Sequence, residues 1–177
     1  MRGSVRGWVP ATVVAVLLAV GIGTAAYFTL GRGTGGSASP TPSVDLHSKE
    51  AVMAAVRNYY AVEDKARQTG DLTLMLAVTE GPGTPAYENF KAFVQEQAGK
   101  GHRSVTISDR LSTWAITLNG QTATALYTLV QRGHDTDATT GQAIEPDVST
   151  PASHYKATVR LHGQKWLIYE RDLLGHD

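Results

Sequence analysis

No cysteine occurs anywhere in the 177 residues. That excludes disulfides, thiol nucleophiles, zinc–thiolate centres and a lipid-modified cysteine. Net charge is also missing, with 16 basic residues set against 16 acidic ones. No basic patch with interleaved aromatics occurs, so nothing points to a nucleic-acid partner. Aromatic residues make up only 7% of the chain. There is no glycine-rich phosphate loop placed after a strand and no G-x-S-x-G. The six histidines show neither HxxxH nor HxH spacing. The most informative absence is local: from Gly7 to Gly31 there is no charged residue.

That uncharged stretch predicts a membrane span. A spanning helix needs about 20 mostly apolar residues, because the hydrocarbon core is roughly 30 Å thick. Pro10–Leu30 supplies 21, or roughly 31 Å of helix. Pro10 falls in the first turn, where its missing N–H costs nothing. Trp8 and Tyr27 fall near the two ends, where amphipathic rings favour the interface. Arg2 and Arg6 precede the span and only Arg32 follows closely. The positive-inside bias then expects the N-terminus in the cytoplasm and the C-terminal bulk outside the cell membrane. The competing reading is a cleaved signal peptide with Thr24-Ala25-Ala26 as its site. Its apolar core would usually run about 7–15 residues, and here Phe28 and Leu30 carry it past that site. The expected organisation is a cytoplasmic stub and anchor over 1–30, a linker over 31–47 and one domain over 48–174.

The linker holds four Gly, three Ser, two Thr and two Pro among its 17 residues, a composition too polar to order itself. Without Arg2, Arg6 and Arg32 the remainder carries 13 basic against 16 acidic residues. Lacking disulfides, an exported domain must be held by its core alone.

Within the domain, Ser48 caps a helix to about Thr69, with Val52, Ala55, Val56, Tyr59, Val62 and Ala66 on one face. Leu72 to about Thr79 reads as a short second helix with Leu72, Met75 and Leu76 on its apolar side. Thr84 and Pro85 open a third, which Gly99–Gly101 stops. From Val105 the period changes to two. Val105, Ile107 and Leu111 share one parity while Trp114, Ile116 and Leu118 share the other. That change of face predicts a bulge or bend near Ser112-Thr113. Asn119-Gly120 signals a type I′ hairpin, setting Leu118 opposite Gln121, Ile116 opposite Ala123 and Trp114 opposite Ala125. Gly133–Pro151 is too polar and too long for a tight turn. Tyr155, Ala157, Val159 and Leu161 then alternate with His154, Lys156, Thr158 and Arg160. A turn at His162-Gly163 sets Val159 opposite Trp166, Ala157 opposite Ile168 and Tyr155 opposite Glu170.

Three helices followed by four strands in two hairpins make an α+β domain, with helices packed on a curved four-stranded antiparallel sheet. This order, the bent strand at Leu111–Trp114 and the closing run Trp166-Leu167-Ile168-Tyr169-Glu170 resemble the nuclear transport factor 2-like superfamily in its small SnoaL-like form. A cystatin-like fold is the structural competitor, set apart by one long helix in place of three. The anchor, linker and domain together also look like membrane-anchored extracytoplasmic proteins of actinobacteria and assembly subunits of type IV secretion machines. The resemblance implies a cone enclosed by helices and sheet, and scaffolding more often than catalysis.

In the superfamily's enzymes the cone holds an Asp base with Tyr or His partners. The interior candidates here are Tyr59, Tyr60, Trp114, Tyr127, Tyr155 and Glu170, the last being the one carboxylate whose expected strand face points inward. The Asp base has no counterpart, since Asp64 lies on the first helix and Asp109 flanks the strand bend. Asp135, Asp137, Glu145 and Asp147 lie near His134, but the Gly and distant Glu of a calcium loop are missing, so a solvated acidic loop is expected. No catalytic residue, metal or cofactor is expected. The expected role is protein–protein contact in the cell envelope, with an unidentified partner or a second copy. The alternative is a small-molecule binder or enzyme that uses the cone.

Overall fold

The structure is a computed structural model that describes residues 45–177. The expected span at Pro10–Leu30 and all of the linker before residue 45 lie outside the described residues. Among the described residues no helix is long and apolar enough to cross a membrane.

Helix α1 runs from Lys49 to Thr69. It starts where Ser48 Oγ accepts the Ala51 N–H at 3.1 Å and stops at Gly70, whose φ of 73° suits a residue without Cβ. Its buried face is Ala51, Val52, Val56, Tyr59, Tyr60, Glu63 and Ala66. The expected short second helix is present as a 3-10 helix over Leu72–Ala77. Six residues are too few to repay α-helix nucleation, so i to i+3 bonds suffice. Met75 is buried there, whereas Leu76 faces outward. Helix α2 spans Pro85–Lys100, with Pro85 in its first turn. Thr84 stands at the cap position, but its hydroxyl donates to the Gly81 carbonyl at 2.7 Å instead of accepting from the helix.

Five strands follow: β1 (His102–Asn119), β2 (Thr122–Asp137), β3 (Val148–Ser149), β4 (Ser153–His162) and β5 (Lys165–His176). They form one antiparallel sheet in the order β1-β2-β4-β5, with β3 pairing with β2. The extra strand arises because β2 continues to Asp137 and the chain then pairs Val148 and Ser149 back onto Gly133 and Arg132. The expected long loop is therefore mostly strand at its start.

The bend expected at Ser112-Thr113 is present as a register shift between Ser112 and Ala115. Thr113 has φ 53°, the only positive φ of a non-glycine among the described residues. A second shift lies between Thr106 and Ser108. There Gly133 is required, because a Cβ on it would collide with the Val105 carbonyl.

Both hairpin turns sit one residue later than expected. Asn119 pairs with Thr122, and His162 pairs with Lys165. The turn residues are thus Gly120-Gln121 and Gly163-Gln164. Glycine with φ near 60° takes the first position in each, so the expected type I′ turn, which requires positive φ at Asn119, does not form. The pairing moves by two residues, which preserves the faces. Ile116 lies opposite Ala125 and Leu118 opposite Ala123, so large side chains still meet small ones. The core joins Val52, Val56 and Phe90 of the helices to Ala123, Ala125, Ala157, Val159, Trp166 and Ile168 of the sheet. Trp166 is buried, with its Nε1–H donating to the Leu46 carbonyl at 2.6 Å.

Candidate functional site

Helical spacing aims Tyr59, Tyr60, Glu63 and Arg67 of α1 at the concave face of the sheet. Strand alternation aims Tyr127 and Tyr155 back at them, and the bulge at Thr113 brings Trp114 alongside. The rings stack in a row. The Trp114 and Tyr127 centroids are 5.2 Å apart, and those of Tyr127 and Tyr155 are 5.8 Å apart. Tyr60 meets Tyr127 edge-on, and their hydroxyls hydrogen-bond at 3.0 Å. Tyr59, Tyr60 and Tyr127 are buried, while Trp114 and Tyr155 are half-buried.

The sixth expected interior residue does not join them. The pairing of β4 with β5 shifts between Val159 and Thr158, so Val159 faces Ile168 but Thr158 faces Glu170. Tyr169 is the extra residue. Past it, the β5 side chains change face as far as Leu173, where a second shift opposite His154 and Tyr155 follows. Glu170 consequently turns outward with Thr158 and is half-buried. Arg171 takes the inward place opposite Ala157.

Arg171 finds there the acidic residue that the sequence reading passed over. Glu63 is fully buried. Its Oε2 accepts from Arg171 at 3.0 Å. Its Oε1 accepts from Arg67 at 3.2 Å and from the Tyr59 hydroxyl at 3.4 Å. The Arg171 guanidinium also lies 5.2–5.4 Å from the ring centres of Tyr59, Tyr60 and Tyr155, and Arg67 lies 4.6 Å from that of Phe93. The signal for Glu63 was available in the spacing. It follows Tyr59 by four residues and Tyr60 by three, so a charged residue occupies the apolar face and requires a buried partner. The partner's identity was not available, because it depends on the bulge at Tyr169.

The electrostatics follow from this packing. Burial pushes the Glu63 carboxyl up, but Arg171 and Arg67 outweigh it and hold the group below the ordinary carboxylate range. Burial pushes the phenols of Tyr59, Tyr60 and Tyr127 well above the ordinary tyrosine value. Glu63 is therefore a weak base with its oxygens already occupied, and the phenols are weak acids. Two guanidiniums against one carboxylate leave one excess positive charge, spread over aromatic faces. The network is suited to holding α1 against β5 and poorly suited to moving a proton near neutral pH.

Three of the four acidic loop residues, Asp135, Asp137 and Asp147, have partners. Asp135 accepts from Ser104 at 2.6 Å. Asp137 accepts from the backbone of Thr139 and Thr140. Asp147 pairs with Arg132 at 3.1 Å and with His134 at 2.8 Å. Four surface clefts of the domain touch the interior cluster only at Arg67 and Trp114.

No family model matches this chain, and no curated protein matches it. Solved structures do. The intermembrane-space region of the chloroplast protein ARC6 superposes with a TM-score of 0.54 at 14% identity, over 72% of this chain and 97% of that one. A single-residue variant of Rv3472, a protein of unknown function from Mycobacterium tuberculosis, superposes with a TM-score of 0.50 at 13% identity, over 73% of each chain. ActVI-ORFA from Streptomyces coelicolor is similar at a TM-score of 0.47 and 12% identity, over 72% of this chain and 96% of that one. At such identities the likeness is one of fold.

Proposed function

We propose that this chain is a non-enzymatic, single-pass membrane protein whose domain works by contact, with an envelope protein or a second copy of itself. The observation that carries this reading is the filled interior. Where the superfamily's enzymes would hold substrate, Glu63, Arg171, Tyr59, Tyr60 and Tyr127 pack against one another with their polar atoms paired. A ligand would have to displace a buried ion pair and a ring stack to enter. The membrane half of the proposal rests on the uncharged stretch Gly7–Gly31 flanked by Arg2 and Arg6.

The absence of cysteine makes the localisation directly testable. Exposed Ser149 replaced by cysteine should be labelled in intact cells by a membrane-impermeant maleimide. Protection until lysis would overturn the extracytoplasmic placement. For the contact role, complementation of a strain lacking the gene separates the two classes. Excision of residues 138–147 should weaken complementation, while Tyr60→Phe with Tyr127→Phe should preserve it. The reverse pattern would make the interior an active site.

A further inference from the structure

One residue beyond Glu63, α1 carries a second carboxyl group in a different setting. Asp64 and Asp109 of β1 line a groove of about 420 Å³ together with Arg57, Ala61, Arg110 and Leu111. Gln131 Nε2 donates to Asp109 Oδ1 at 3.0 Å. Asp64 Oδ1 and Asp109 Oδ2 are both shielded from water on this one groove, and neither has a hydrogen-bond partner. Two ionised carboxylates so placed leave both oxygens unsatisfied and repel each other, whereas a single proton between them satisfies both.

The geometry points to a proton-operated latch: one proton shared by Asp64 and Asp109 fastens the C-terminal half of α1 to the edge strand β1, and its loss releases that contact. Burial is the largest influence raising the Asp64 carboxyl, to about 7, with Asp109 and Glu63 adding to it and Thr106 opposing. Asp64 is thus set to release its proton close to neutrality.

The charged surroundings supply an open state. Arg57 of α1 and Arg110 of β1 line the same groove, and among the described residues neither forms an ion pair. A newly ionised Asp64 therefore has cations at hand. Glu63 points away and is held by Arg67 and by Arg171 of β5. From β2 the neighbour is the neutral Gln131. Arg57 lies 5.7 Å from the Trp114 ring centre, so its recruitment would also alter that ring's surroundings.

The sign follows from linkage. Asp64 holds its proton in the folded chain above the pH at which the unfolded chain releases it. Its contribution is therefore complete below about pH 4 and is lost as pH rises towards 7. Asparagine at position 64 places an N–H where the proton sits and keeps the latch shut at every pH. The test is thermal unfolding of the full chain from pH 5 to 8.5. Relative to wild type, Asp64→Asn should raise Tm more at pH 8.5 than at pH 5, the difference growing by at least about 3 °C across that window. Asp109→Asn should flatten the same window, because either amide can bridge the pair. Subtracting wild type from each variant cancels the histidine titrations common to both. Hydrogen exchange at the C-terminal half of α1, corrected for intrinsic rate, should accelerate from pH 5.5 to 8.5 in wild type and not in Asp64→Asn. A wild-type slope retained in Asp64→Asn would overturn the proposal. So would flattening by Asp64→Asn alone, since that marks a single buried acid, or exchange that does not change with pH.

Discussion

Glu63 faces two guanidinium groups, whereas Asp64, the next residue on α1, faces a second carboxyl. The helix sets their directions about 100° apart, which sends Glu63 into the interior against Arg171 and Asp64 to the groove it shares with Asp109. Deeper burial would ordinarily make Glu63 the more reluctant to ionise. The opposite holds, because Arg171 and Arg67 overcome its desolvation, while Asp109 adds to that of Asp64. Depth alone thus does not decide the charge state of a buried acid. The sign of the partner does, and here the bulge at Tyr169 chooses the partner by turning Arg171 inward in place of Glu170.

The strongest way to break this contrast is to remove the inner carboxylate. Glu63→Ala leaves two guanidiniums facing each other without compensation, and breaking a buried pair this way typically costs about 3–5 kcal/mol. Urea unfolding at pH 7 should show a loss of that size. The same network governs the acid limb. Glu63 has a lowered folded pKa, so its stabilisation is present above the ordinary carboxylate pKa of about 4.3 and is lost as pH falls through the lower folded value. Glu63 therefore contributes stability that acid removes, whereas Asp64 contributes stability that is present in acid and lost towards neutrality. A Glu63→Ala domain as stable as wild type would mean that the ion network contributes nothing net.

A second variant sharpens the contrast by touching one side of it. Gly133→Ala drives a methyl group into the Val105 carbonyl and displaces Thr106, the residue whose side chain holds the Asp64 carboxyl down against its burial. Overpacking of this kind costs about 1–3 kcal/mol. With that opposing influence displaced, the pH dependence assigned to Asp64 should grow and extend to higher pH, while the acid limb assigned to Glu63 persists. Equal changes in both limbs would show that the two carboxyls belong to one cooperative network.

Much of the scaffold for this contrast is legible in the sequence. The parity change between Leu111 and Trp114 gives the bend, and Ser48 with the spacing of Val52, Val56 and Tyr59 gives α1 and its buried face. The long-range partnerships are not legible. Asn119-Gly120 and His162-Gly163 each mark a hairpin, yet the chain places glycine first in both turns, and only the closed sheet selects that register. The bulge at Tyr169 leaves no break in the alternation of β4, so Glu170 reads as inward until pairing is known. Asp64 and Asp109 are 45 positions apart on different elements, and their meeting depends on how α1 lies along β1.

The smallest expected effect comes from a third way of pairing oxygens in the same domain. Tyr60 and Tyr127 share a hydrogen bond at 3.0 Å that involves neither an ion nor a borrowed proton. Removing one hydroxyl, as Tyr60→Phe or Tyr127→Phe, strands the other in a buried site and should cost about 1 kcal/mol. Removing both takes away donor and acceptor together, so the double variant should lose no more than either single one. Burial raises both phenols well above their ordinary value, which keeps them protonated through mild alkali. The coupling from this double-mutant cycle should therefore be the same at pH 5 and pH 8.5, in contrast to both carboxyls. Additive losses, or a coupling that changes across that window, would place the tyrosine pair inside the titrating networks on either side of it.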